Sequence, residues 1–240
     1  MTATVADPPR TASHPTPRLK TVAGISLVLA GLTNGLPQYL VELVTGGHAD
    51  FGDQIRWSVD HRGVHVAEQL TILLSSLLMP IGLLGLAWVA HHTVRRLTAV
   101  ATVLVVWGMW GFHNVLAMGY VSGTVAPEVV GVDAAVRLND GLVEDPGVLV
   151  TALLPHLLGS FLGLLLLAAA CWRSGAFPRT PLVLMVAFLV WDFALPADPP
   201  FEPHLLLVVA WCWLGMHLVR MPSAVWRGRE APHGGTTTTY

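Results

Sequence analysis

Six apolar stretches, at residues 21–44, 64–90, 97–121, 148–172, 180–197 and 203–220, constrain this chain more than any other feature. A helix needs about 20 mostly apolar residues, rising about 1.5 Å each, to cross a hydrocarbon core about 30 Å thick. Backbone N–H and C=O groups inside lipid find no water, so such stretches must be helices that close their hydrogen bonds internally. The sequence therefore predicts an all-α fold, a polytopic transmembrane bundle of six spans. The fifth and sixth stretches are short and separated by prolines, and they could instead form one re-entrant pair. Composition agrees with a membrane solvent, since charged residues make up 12% of the chain and hydrophobic residues 53%, against roughly 25% charged in a soluble domain. A net charge of -2 leaves no basic footprint, which sets nucleic-acid binding aside.

Orientation follows from Lys and Arg, which concentrate in cytoplasmic loops. With the N-terminus inside, the cytoplasmic segments hold Arg10, Arg18, Lys20, Arg95, Arg96, Arg173, Arg179, Arg220, Arg227 and Arg229, while the outer loops hold Arg56, Arg62 and Arg137. Ten against three predicts both termini in the cytoplasm. Twelve of the 13 basic residues are Arg, a bias that points to a GC-rich bacterial genome and so to a bacterial inner membrane.

Residues 1–20 carry four prolines and no apolar run, and they read as a disordered cytoplasmic tail. Residues 21–220 form the transmembrane domain, and 221–240 read as a second disordered tail. The first apolar run is too long for a cleavable signal core and reads as a retained span. Cys171 and Cys212 fall at different depths, so no disulfide is expected. Gly31–Gly35 and Gly159–Gly163 each place glycines one turn apart, which allows close helix contact. The outer loop 122–147 is long, and Pro127 to Leu138 alternates apolar and acidic residues. It reads as a solvated connector or as a surface helix acting as a lid.

Ionisable side chains inside a span are costly, so they face the bundle interior and find partners there. His113 lies eight residues before Val121 and His156 eight after Val148. Both therefore sit about 12 Å below the outer boundary at about 1.5 Å per residue, and they are expected to face one another. Glu42, His65, Glu68, Gln69, Asn114, Asp192, Glu202 and His204 fall in the same outer half. His65, Glu68 and Gln69 share one helix face by spacing. Trp110 and Trp191 could wall such a pocket, although tryptophans also gather at membrane boundaries for packing reasons. His91, His92 and His217 adjoin arginines and belong to the cytoplasmic boundary.

His65-Val-Ala-Glu68, Gly111-Phe-His113-Asn114 and Trp172-Arg173-Ser-Gly-Ala-Phe-Pro178, with an acid-flanked outer loop, resemble a broad class of uncharacterised six-span bacterial membrane proteins. That resemblance implies a six-span fold and no particular activity.

Four roles are open for the outer cluster. It could bind a small ligand, or a metal or haem through His113, His156, His65 and His204, because neutral imidazole ligates Zn, Cu and haem iron. It could belong to an enzyme acting on a lipid or isoprenoid-like substrate, with Glu68 and Asp192 as acid/base groups. It could line the path of a small-solute or proton-coupled transporter. Or it could be a hydrogen-bond network that fixes helix register. The partner is the lipid bilayer, and a homo-oligomer or a further membrane protein is compatible with the sequence.

Overall fold

A computed structural model describes residues 17–45, 51–194 and 203–230. Among these residues the chain is helical throughout, with no strand. Its elements are α1 (Pro17–Thr45), α2 (Phe51–Asp60), α3 (Arg62–His91), α4 (Arg95–Tyr120), α5 (Ala126–Val130), α6 (Val132–Glu144), α7 (Pro146–Val148), α8 (Phe161–Ser174), α9 (Arg179–Ala194), α10 (His204–Arg220) and α11 (Ser223–Trp226). Three π-helical segments, Val121–Val125, Leu149–Leu153 and Pro155–Ser160, join α4 to α5 and α7 to α8.

Four helices are long and apolar enough to cross a membrane, namely Arg18–Val41, Arg62–His91, Arg95–Val130 and Pro146–Ser174. They fit a membrane protein. The fifth and sixth apolar stretches form the shorter helices α9, of 16 residues, and α10, of 17 residues. Pro37 and Pro80 lie inside α1 and α3, as bundle helices tolerate where neighbours satisfy the freed carbonyl.

Each long helix packs on its neighbour in sequence, in the order α1, α3, α4, α8, α9, α10, and α10 closes the ring against α1. Leu27, Leu83, Leu86, Leu167, Leu182, Met185, Leu214 and Leu218 are fully buried inside it. The outward faces are apolar too, for example Leu77, Ile81, Val103, Val106, Trp110 and Val183. Helices that are apolar on both faces suit lipid outside and protein inside.

Glycine sets the closest approaches. A Cβ on Gly24 would strike the Gly215 carbonyl and one on Gly215 the Gly24 carbonyl, so α1 and α10 meet backbone to backbone. A Cβ on Gly35 would meet Val208 and the His204 carbonyl, and Gly31 faces Trp211. Gly159 and Gly163 lie against Gly108 and Leu104 of α4. Both glycine pairs expected from the sequence are thus helix contacts.

The two ends of the bundle differ in charge. Lys20 donates to the Met221 carbonyl, Trp88 Nε1 and His92 Nε2 both bond the Trp226 carbonyl at 2.8 and 3.1 Å, and His217 Nε2 bonds the Ala176 carbonyl at 2.9 Å. These bonds gather the N-terminus of α1, the α3–α4 and α8–α9 connections and the C-terminus of α10 at one end. That end carries Arg95, Arg96, Arg173, Arg179 and Arg220. His92 and His217 act there as structural pins. Residues 221–230 do not form a loose tail, because α11 folds back and buries Trp226.

The opposite end bears a small cap. The loop 122–147 becomes α5 and α6, and they pack with α2, an element the sequence reading missed, around Ile55, Ala126 and Ala135. Arg62 pairs with Glu128 across this joint, and Ser58 Oγ lies 3.1 Å from the Gly123 carbonyl. The loop is therefore a folded helical cap and not a solvated connector.

Candidate functional site

All six helices of the ring contribute to one cleft of about 150 Å³. Its polar groups come from separate elements: Asn34 and Gln38 from α1, His156 and Ser160 from the π-helical turn before α8, Asp192 from α9 and His204 from α10. Phe112, Phe188, Phe193 and Trp211 supply aromatic walls, and Met79 and Met109 close the α3–α4 side. The cleft lies on the capped half of the bundle, away from the arginine-rich end. Towards that end the interior is filled by fully buried Leu86, Leu167, Met185 and Leu214.

His156 owes its place to local backbone. Pro155 lacks an N–H, and the chain there winds as a π-helix over Pro155–Ser160, a form concentrated at functional sites. A Cβ on Gly111 would strike the His156 backbone nitrogen, and one on Gly108 the backbone of Ser160. Only glycine at these positions lets α4 approach so closely. The imidazole then stacks on Phe112, with centroids 5.2 Å apart, and leans on Phe193 at 5.8 Å. Its Nδ1 lies 3.4 Å from Ser160 Oγ. His204, at the start of α10, sets its ring edge-on to Phe188 at 5.2 Å.

Asn34 is buried, and Gln38 Nε2 donates to both its Oδ1 and its backbone carbonyl at 3.1 Å. Neither residue figured in the sequence reading. A polar pair four residues apart inside an otherwise apolar span was the available signal. Phe112, Phe188, Phe193 and Ser160 were also missed, having no distinctive spacing.

The remaining expected residues go elsewhere. His113 turns away from His156 and meets Ser76 Oγ at 2.8 Å. Ser76 Oγ also lies 2.7 Å from the Leu73 carbonyl. The expectation that His113 and His156 face each other is thus corrected: successive residues on a helix point about 100° apart, and Phe112 takes the place beside His156. Asn114 donates to the Thr151 carbonyl at 2.9 Å and ties α4 to the π segment. Trp110 is 62% exposed on the outer face and walls nothing.

His65 and Glu68 sit under the cap. His65 Nδ1 lies 3.3 Å from Glu68 Oε2, both side chains are nearly buried, and His65 Nε2 is buried near Gly123. Glu68 and Asp192, expected as joint acid/base groups, therefore occupy different places. Gln69 does not line the cleft. The side chain of Glu42 and the whole of Glu202 lie outside the described residues. None of the cleft-lining residues comes from the cap.

The four histidines expected as metal or haem ligands do not converge, since only His156 and His204 line the cleft. Among the described residues no group of three His, Cys, Asp or Glu side chains is placed to hold a metal ion. Cys171 is buried and Cys212 half-buried, each a free thiol.

The class these features define is an all-helical bundle of membrane-spanning character with a polar, aromatic-walled cleft at its capped half. Comparison with family models, curated proteins and solved structures returns no match.

Proposed function

We propose that this chain is a six-span protein of the bacterial cytoplasmic membrane, with both termini inside, that binds an amphipathic small molecule in the cleft. Six spans are supported by the ring, in which α9 and α10 pack as full partners of the four longer helices. The orientation is supported by the arginine-rich end, where Glu230 is the single carboxylate among the described residues, set against a capped end rich in Asp and Glu.

One observation carries the ligand reading. Two imidazoles, a carboxylate and an Asn–Gln pair from four separate elements converge between aromatic rings in a space of about 150 Å³. A mostly apolar cleft with a few convergent polar groups suits a ligand with a flat or branched apolar body and a hydrogen-bonding head. A network serving only helix register would be closed by its own side chains. The cleft that these residues line keeps about 150 Å³ of open volume.

The test is mass spectrometry of organic extracts from detergent-purified protein, alongside Met109→Trp, which fills the cleft from α4. A small molecule near one per chain in the native protein, and absent from the filled variant, is the expected result. Extracts free of any such molecule, together with no saturable quenching of tryptophan fluorescence by a short-chain quinone probe, would overturn the reading.

A further inference from the structure

At the arginine-rich end the sequence turns sharply between α8 and α9. Gly175 adopts φ 66° as the C-cap of α8, a left-handed conformation suited to glycine, and α9 restarts at Arg179. This turn returns the chain beside itself and puts Arg173 and Arg179, both exposed, at one edge of the bundle. Above them the two helices do not fill the space between them. Leu165, Ala168, Ala169 and Trp172 on α8 and Leu182, Val183 and Val186 on α9 border an open, almost wholly apolar groove of about 290 Å³. The two alanines make the hollow, and the bulkier residues make its walls.

Arg179 sits at one end of this groove, and exposed Arg173 follows Trp172 in the chain. The Arg179 guanidinium carbon lies 5.1 Å from the centre of the Trp172 ring. A guanidinium held over an aromatic ring can still direct N–H groups to two oxygens of a phosphate. Neither Arg173 nor Arg179 has a carboxylate partner among the described residues. From Trp172 to Leu165 is seven residues, about 10 Å of helix, which matches the upper part of one acyl chain in the adjoining leaflet.

We propose that this groove is a binding site for one anionic phospholipid, with an acyl chain along Leu165, Ala169 and Val186 and the phosphate between Arg173 and Arg179. The occupant follows from charge complementarity: an apolar slot of lipid-chain width opens beneath two unpaired cations on a lipid-facing surface. The inference rests on the chain lying in a bilayer and is independent of whether the central cleft holds anything.

The test is native mass spectrometry of the detergent-solubilised protein titrated with phosphatidylglycerol and with phosphatidylethanolamine of the same chains. The first lipid bound is expected to favour phosphatidylglycerol by about thirtyfold, the scale set by two arginines near a membrane surface. Arg173→Gln with Arg179→Gln brings that preference to within about twofold, and Ala169→Trp, which fills the slot, weakens the first binding of both lipids. Arg18→Gln, at the same end but on α1, across the ring from α8 and α9, leaves the preference intact. Equal affinity for the two lipids in the native protein overturns the proposal. So does a preference that survives the double substitution, or one that Arg18→Gln removes equally, since a diffuse basic surface would then explain it. Retention of the protein in carbonate-washed membranes tests the bilayer premise separately.

Discussion

The His156 imidazole lies on the Phe112 ring at a centroid distance of 5.2 Å and an interplanar angle of 30°, in a packing that Gly111, one residue before Phe112, makes possible. The glycine and the stacked pair form one unit. With no side chain at Gly111, the His156 backbone moves in against α4, and the imidazole can then reach only as far as Phe112 and the cleft.

That unit predicts a cost for the smallest possible addition. Gly111→Ala places a methyl group against the His156 nitrogen, the Ala152 carbonyl and Pro155 Cβ, and backbone cannot yield as a side-chain tip can. Overpacking of this kind costs about 1–3 kcal/mol. The melting temperature in detergent should fall, and any cleft ligand should be lost with it. Gly119→Ala, where a Cβ meets nothing within 4 Å, should leave both unchanged.

His113 is predicted to behave as a structural residue. Its Nδ1 lies in hydrogen-bond contact with Ser76 Oγ across the α3–α4 interface at 2.8 Å. Polar contacts between membrane helices are worth about 0.6 kcal/mol on average and rarely more than about 2. A double-mutant cycle of His113→Ala and Ser76→Ala should return a coupling of about 0.5–1 kcal/mol by unfolding in detergent. Neither substitution should change what the cleft binds, whereas His156→Ala should. Loss of ligand on His113→Ala at normal stability would contradict the separation of the two histidines.

These two histidines show what the sequence could and could not convey. Counting residues from span boundaries gives depth: it placed His113 and His156 at one level and Asp192 and His204 in the same outer half, and of these the structure brings His156, Asp192 and His204 to one cleft. Direction around the helix needs the packing partner. The glycines at 108 and 111 that turn α4 towards the π-helical turn carry no such meaning until the neighbouring helix is known. His113 and Phe112 were thus exchanged in role, and Trp110 was assigned to a wall it does not form. The six apolar stretches were legible because apolar length alone determines them. The cap was not, because α2 and α6 gain a core only by meeting each other through Ile55 and Ala135.

The cap should unfold on its own terms. Ile55 is 1% exposed and centres its small core, so Ile55→Ala removes buried methyl groups at a cost of about 2–5 kcal/mol. Hydrogen exchange should accelerate across Val132–Glu144 while amides of α3 and α10 in the bundle core keep their protection. Arg62→Ala breaks the pair with Glu128, but both side chains are well exposed at 64% and 41%, and such pairs contribute at most about 1 kcal/mol. Its effect on the same amides should be small. Equal loss of protection in cap and bundle on Ile55→Ala would mean that the two form one cooperative unit.

The proposed orientation makes an accessibility prediction that the two native thiols hardly obscure. Cys171 has no exposed surface, and Cys212 is half-buried with its Sγ 3.9 Å from the Val28 carbonyl, so neither should react rapidly with a membrane-impermeant maleimide. A cysteine introduced at exposed Asp60, beside the cap, should be labelled on intact spheroplasts, as should one at Asp140 on α6. One at exposed Arg229, beyond α11 at the arginine-rich end, should react only after permeabilisation. Because α1, α3, α4, α8, α9 and α10 alternate in direction around a closed ring, the two outcomes are linked: an even number of crossings puts both termini on the side opposite the cap. Labelling at Arg229 in intact spheroplasts with protection at Asp60 would invert the protein and turn the cleft towards the cytoplasm. Labelling at both positions would remove one crossing, and the shorter helices α9 and α10 would be the place to look for it.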